Sequence, residues 1–289
     1  MAKILIVHGI SNQFTGEAEL LAGWYPALCD GLSRLAAAVT PPIQTDCFCP
    51  FYGDLFRPSG RPLGITGREV DWEDLAEAQP REIELLETIW RSAAAKDPSV
   101  PSPEEYSETL FRTPRIAQRA LNALAKSKYL ARLVPLQFFG DLKQVVAYLD
   151  DPDIHREISQ RVLGPIGYDT KLVIGHSLGS VVAYEALCQK SDVVVDLLTL
   201  GSPLGIRNIV FDKLTPRPGP DRIGKWPRAV RRWTNIAATG DIVAVQQQLA
   251  PLFDGPILDK LIDSGWDAHS STRYLNTREA GEAVSAALA

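Results

Sequence analysis

The 289-residue chain is 45% apolar and 22% charged, with a net charge of −5 and a pI near 5.5. Such a composition supports a sizeable globular core, in one large α/β domain or two smaller ones, and argues against a general nucleic-acid binder. No apolar run approaches the ~20 residues of a membrane span. Lys3-Ile-Leu-Ile-Val7 already reads as a strand, so no leader is expected before it and a cytoplasmic protein is expected.

Strand and helix signals alternate along the chain, which predicts a mostly parallel central sheet covered by helices on both faces. The strand Ile4–Val7 ends in a loop, His8 to Gln13. A long helix is predicted over Glu17–Val39, with apolar positions at Leu20, Leu21, Trp24, Leu28, Leu32 and Leu35, stopped by Pro41 and Pro42. The next strand is expected over Ile43–Phe51. Its Cys47 and Cys49 alternate onto one face and, with Cys29 and Cys188, read as free buried thiols, since no C-x-x-C spacing occurs.

Residues 56–150 break the alternation. A Gly/Pro/Arg-rich stretch and an acidic one precede helical periodicity at Ile83, Leu86, Ile89, Trp90 and Ala93. After a Pro-rich break, helices are expected over Glu104–Phe111 and Arg115–Leu133. The region lacks strand signals and lies between sheet strands. It therefore reads as a helical insertion within a single domain, either a lid or cap over the site or a packing at the sheet's edge. Trp72, Trp90, Tyr106 and Phe111 in it either line an acyl pocket or fill a core. A helix over Asp153–Leu163, capped by Asp151 or Asp153, leads out of it.

The most informative segment follows. Leu172–Ile174 is an apolar strand, Gly175-His-Ser-Leu-Gly179 is a G-x-S-x-G pentapeptide, and Val181 onward continues as a helix. Strand, tight turn and helix make this a nucleophile elbow, with Ser177 exposed at a strained apex. Side chains at 175 or 179 would collide with the neighbouring strand or helix. Further strands are predicted at Val193–Leu200 and Arg232–Ala238, then a short strand or helix at 256–263 and a closing helix from Thr277.

A serine hydroxyl needs a base, and the base needs an orienting acid. Of the four histidines, His176 stands inside the elbow pointing away from Oγ, His8 ends the first strand, and His155 lies on a helix. His269, in a loop near the C-terminus, is left as the base. Among the carboxylates between Ser177 and His269, Asp241 directly follows a convincing strand, where ligand-side residues of such sheets cluster. Asp267 is the weaker rival, too near His269 to orient it easily. The oxyanion hole is assigned to the Leu178 amide and to Gly9 or Ile10 after the first strand, with Asn12 and Gln13 near enough to add a side-chain donor. No metal or organic cofactor is called for.

These residues resemble the α/β-hydrolase superfamily, in its lipase- and esterase-like branch. The carriers are Val7-His-Gly9, the Gly175–Gly179 elbow, Thr199-Leu-Gly-Ser-Pro-Leu204, Gly240-Asp241 and Ala268-His-Ser270. The resemblance covers residues 3–51 and from about 153 to the end, and not 56–150. It implies a serine hydrolase cleaving a small-molecule or lipid carboxylic ester through an acyl-enzyme, with an acyltransferase, thioesterase or amidase on the same triad as rivals. A non-catalytic binding protein on the same fold is the remaining alternative. Seven basic residues between Lys213 and Arg232 read either as a solvated loop or as an entrance for anionic substrates or lipid headgroups, leaving transient contact with a membrane surface open.

Overall fold

The computed structural model describes residues 2–36, 39–57, 78–105, 114–129 and 135–289. Strand β1 (Ile4–Val7) is followed by helix α1 (Glu17–Ser33) and strand β2 (Cys47–Phe48). Helices α2 (Pro80–Lys96), α3 (Pro114–Leu124), α4 (Pro135–Asp150) and α5 (Pro152–Leu163) come next. Strand β3 (Leu172–His176) turns at once into α6 (Leu178–Gln189). Strands β4 (Val195–Leu200), β5 (Val230–Ala238) and β6 (Ile257–Ile262) precede α7 (Ser271–Leu275) and α8 (Arg278–Leu288).

The six strands form one all-parallel sheet in the order β2-β1-β3-β4-β5-β6. A parallel sheet is covered on both faces, so its inner strands are apolar runs without polar alternation. Successive side chains still go to opposite faces. Leu5, Val7, Val173 and Leu197 enter one core with α2 to α6. Ile4, Ile6, Leu172, Ile174 and Leu198 enter the other, with α1, α7 and α8. Helix α6 is buried from Leu178 to Leu187, because β1, β3 and β4 back it on one side and α5 packs along the other.

Local chemistry sets several helix starts. Asp151 Oδ1 accepts from the amides of Asp153 (2.9 Å) and Ile154 (3.1 Å), ahead of Pro152 at the first helical position. Glu82 Oε2 accepts from the Gln79 amide (2.9 Å) at the head of α2, and Thr277 Oγ1 from the Ala280 amide (3.2 Å) at the head of α8.

Three expectations are corrected. The second strand is two residues long rather than Ile43–Phe51. Gln44–Asp46 forms a 3₁₀ turn ahead of it, and Pro50 has no amide with which to extend the ladder. Helix α1 stops at Ser33 instead of Val39, where the Arg34 guanidinium turns to Asn276, donating to its main-chain O at 2.7 Å. The predicted Arg115–Leu133 helix ends at Leu124, with residues 125–129 outside any helix and 130–133 outside the described residues, while the expected Glu104–Phe111 helix lies, from residue 106 on, outside the described residues. Of the seven basic residues, Arg231 and Arg232 lie away from the edge that carries Ser177. They stand at the amino ends of the strands, opposite Ser177, and pair with Asp196 at 3.0 and 2.6 Å. Arg222 pairs with Asp212 (3.4 Å) and Lys213 with Asp150, so much of this positive charge is locally neutralised.

Trp90 belongs to the core, 1% exposed, with Nε1 donating to Pro101 O at 2.7 Å. Trp72, Tyr106 and Phe111 lie outside the described residues. The four cysteines are unpaired, and Cys47 and Cys49 share the second core. No helix among the described residues is long and apolar enough to cross a membrane.

Candidate functional site

The chain leaves β1 toward β2 on one side of the sheet, while β3 pairs with β1 on the other. A crevice at such a switch point, outside the carboxyl ends of the strands, is where ligands of open α/β sheets bind. His8 and Gly9 follow β1 there, and Ser177 follows β3.

Ser177 has φ 54° and ψ −132°, a region L-residues rarely adopt, and joins β3 to α6 with no intervening residue. Its amide donates to Leu200 O (3.0 Å), and its own carbonyl accepts from the Ser180 amide (2.9 Å) and Ser180 Oγ (2.6 Å). Close packing enforces the turn. A Cβ at 175 would lie 2.5 Å from Ser180 Cα, and one at 179 would lie 2.2 Å from Val7 O. Glycine is therefore required at both positions, and helix α6 starts directly against the end of β1.

The loop after β1 is equally close. A Cβ on Gly9 would lie 2.7 Å from Ser177 Cβ and 3.3 Å from Oγ. His8 orients this loop: Nε2 accepts from the Tyr52 amide (3.2 Å), so Nδ1 carries the proton and donates to Gly9 O (2.7 Å). Burial pushes the His8 ring down to about 4, against the Gly9 hydrogen bond, so it stays neutral. Tyr52 stacks on it at 3.9 Å and donates to His8 O. Asn12 Nδ2 donates to Gly9 O (3.0 Å) and Ile10 O (2.8 Å), while Gln13 Oε1 accepts from Gln144 Nε2 (3.2 Å). Asn12 and Gln13 thus serve the loop itself. The amides of Gly9, Ile10 and Leu178 have no acceptor among the described residues.

Asp241 follows β5 and is 1% exposed. Oδ2 accepts from His269 Nδ1 (2.8 Å) and Tyr274 Oη (2.7 Å), and Oδ1 from the amides of Val243 (2.9 Å) and Ala244 (3.3 Å). Burial works to raise its pKa, but the adjacent His269 and these donors outweigh it and hold the carboxyl below the usual range. Asp267 pairs with Arg273 (3.7 Å) instead of His269. His155 lies away from this edge, bonded through Nε2 to Glu185 (2.9 Å).

His269 approaches the elbow through His176, whose Nε2 donates to His269 O (2.8 Å), the two rings lying 4.8 Å apart. Burial, with the field of His269, pushes His176 down to about 3, so it is a neutral donor. A Cβ on Gly201, next to the carbonyl that holds the Ser177 amide, would lie 2.7 Å from Asp241 Oδ2 and 3.1 Å from His269 Nδ1. Ser177 Oγ and His269 Nε2 are not hydrogen-bonded to each other, and each is without a partner among the described residues. Such contacts often tighten only with substrate bound.

Sequence reasoning missed Tyr274 and the His176 carbonyl contact. Both depend on which loops the fold brings to the carboxyl edge, and no local pattern announces either. A strained serine, an imidazole fixed by a buried carboxylate, and unclaimed amides can together move a proton and stabilise a developing oxyanion. No known protein family, no curated protein and no solved structure matches the chain.

Proposed function

We propose that the chain is a serine hydrolase of the α/β-hydrolase type, cleaving a carboxylic ester through an acyl-enzyme. The observation that carries this reading is the Ser177 backbone, held at φ 54° between β3 and α6 at the switch point, with the Asp241–His269 pair on the same edge. His269 Nε2 takes the Oγ proton as Oγ attacks the ester carbonyl, and Asp241 keeps the ring oriented and stabilises the imidazolium. The Leu178 amide, with Gly9 or Ile10, receives the oxyanion, aided by the positive end of α6. His269 then protonates the departing alkoxide, and water, deprotonated by the same nitrogen, releases the acid and restores Ser177.

Fluorophosphonate labelling and a panel of p-nitrophenyl esters of graded chain length test this. Covalent labelling at Ser177 is expected, together with ester turnover that falls at least ~10³-fold in Ser177→Ala. A folded, unlabelled protein would sink the reading and favour a binding role. Labelling with acyl transfer to added alcohol or thiol in place of hydrolysis would move it to a transferase.

A further inference from the structure

The turn that carries Asp241 is held from outside the sheet. Lys96, the last residue of α2, donates from Nζ to Asp241 O (2.6 Å) and Ala244 O (3.1 Å). The Tyr129 ring lies against Gly240, where a Cβ would be 2.3 Å from Cδ1 and 2.5 Å from Cε1. Buried Asp97 joins these two contacts: it accepts from Ser99 Oγ (2.7 Å), the Lys128 amide (2.8 Å) and Ser127 Oγ (2.9 Å). Ser127 Oγ in turn accepts from the Tyr129 amide (3.2 Å). The end of α2 and the segment that follows α3 therefore meet the acid turn as one knotted unit.

A half-buried ammonium is an expensive way to bind two carbonyls. Burial lowers the Lys96 pKa, and the Asp241 charge opposes that shift. The two carbonyls it holds bracket the Val243 and Ala244 amides that grip Asp241 Oδ1, so the turn is closed on both sides of the carboxylate.

We propose that Lys96 is a positioning residue for the Ser177–His269–Asp241 machinery, so that the orientation of the acid depends on the end of α2 and the segment 127–129 knotted to it. This rests on the hydrolase reading for its activity arm, while its structural arm stands apart from it. Displacement of the α2 terminus would be transmitted to Asp241 through two hydrogen bonds.

The experiment compares the full chain with Lys96→Met, which keeps the side chain's reach without its donors, and Lys96→Arg, which still donates. Lys96→Met is expected to fold by circular dichroism, to lose roughly tenfold in kcat with KM changed less than about twofold, and to recover most of kcat as Lys96→Arg. Amide exchange at Val243 and Ala244 should accelerate about tenfold while β3 amides keep their rates. Unchanged kcat and unchanged exchange in folded Lys96→Met would overturn the proposal, as would acceleration equal to that of β3. Failure of the unsubstituted protein to react at Ser177 would refute the hydrolase reading alone, because the exchange comparison still judges the clamp.

Discussion

Two buried aspartates near the site show how hydrogen-bond supply decides a carboxyl's charge. Asp241 receives an imidazole, a phenol and two amides and stays ionised below the usual range despite complete burial. Asp141, on α4, receives among the described residues Ser11 Oγ and a long bond from Gln144 (3.3 Å), and burial pushes it up to about 6. Its partner Ser11 sits at φ 65° in the loop that carries Gly9 and Ile10, so Asp141 braces a strained turn beside the elbow. A carboxyl raised from about 3.9 in the unfolded chain favours folding only while protonated. That contribution is complete below about pH 4, is lost as pH rises toward 6, and leaves a constant deficit above. Asp141→Asn keeps an acceptor for Ser11 and removes the charge. Urea unfolding should find it about 1–3 kcal/mol more stable than the unsubstituted chain at pH 7, with the two converging near pH 4. Stability curves that run parallel from pH 4 to 7 would refute the raised carboxyl.

The element on which the site depends is the strand–turn–helix, and much of it is legible in the chain. Apolar runs bounded by glycines announce β1, β3 and β4, and the glycines at 175 and 179 announce the collision that only their absent side chains avoid. Gly9 makes the same argument across two elements. Alanine there would set a methyl 2.7 Å from Ser177 Cβ, so the β1 loop and the elbow must separate by several tenths of an ångström at least. Gly9→Ala is expected to fold, since the loop is next to a sheet edge, and to lose about 10²-fold in kcat/KM as the amides shift from the oxyanion. Ester turnover within twofold of the unsubstituted protein would show that this loop does not face the reacting carbonyl. What the chain conceals is whatever joins distant segments. Tyr274 meets Asp241 across 33 residues, His176 meets the His269 carbonyl across 93, and Lys96 meets Asp241 across 145. None leaves a periodicity or a spacing to read. Charge runs mislead for the same reason: Arg231 and Arg232 look like a basic patch until the register of β4 and β5 sets Asp196 beside them.

At the scale of the whole molecule, the question is whether helices α2 to α4 are an appendage or part of the body. Leu85, Leu86, Ile89 and Trp90 of α2, Leu121 and Leu124 of α3, and Phe139 and Tyr148 of α4 lie in one continuous core. That core also contains Val7 of β1, Val173 of β3 and the buried side of α6. A detachable lid would have its own core or a polar inner face, whereas here α2 to α4 share the core that buries one side of α6, and Tyr148 of α4 donates to Glu185 of α6. Removing Trp90, buried and bonded through its indole to Pro101 O, tests the difference. Trp90→Ala should cost about 3–5 kcal/mol and lower the urea midpoint of the whole chain. Loss of fluorophosphonate labelling at Ser177 should then track the far-UV circular dichroism transition in both proteins, because the elbow and α2 share their packing. An early melting step for the helices, with labelling retained beyond it, would mean that the sheet and elbow stand without them. Asp241 would then have to keep its place without Lys96.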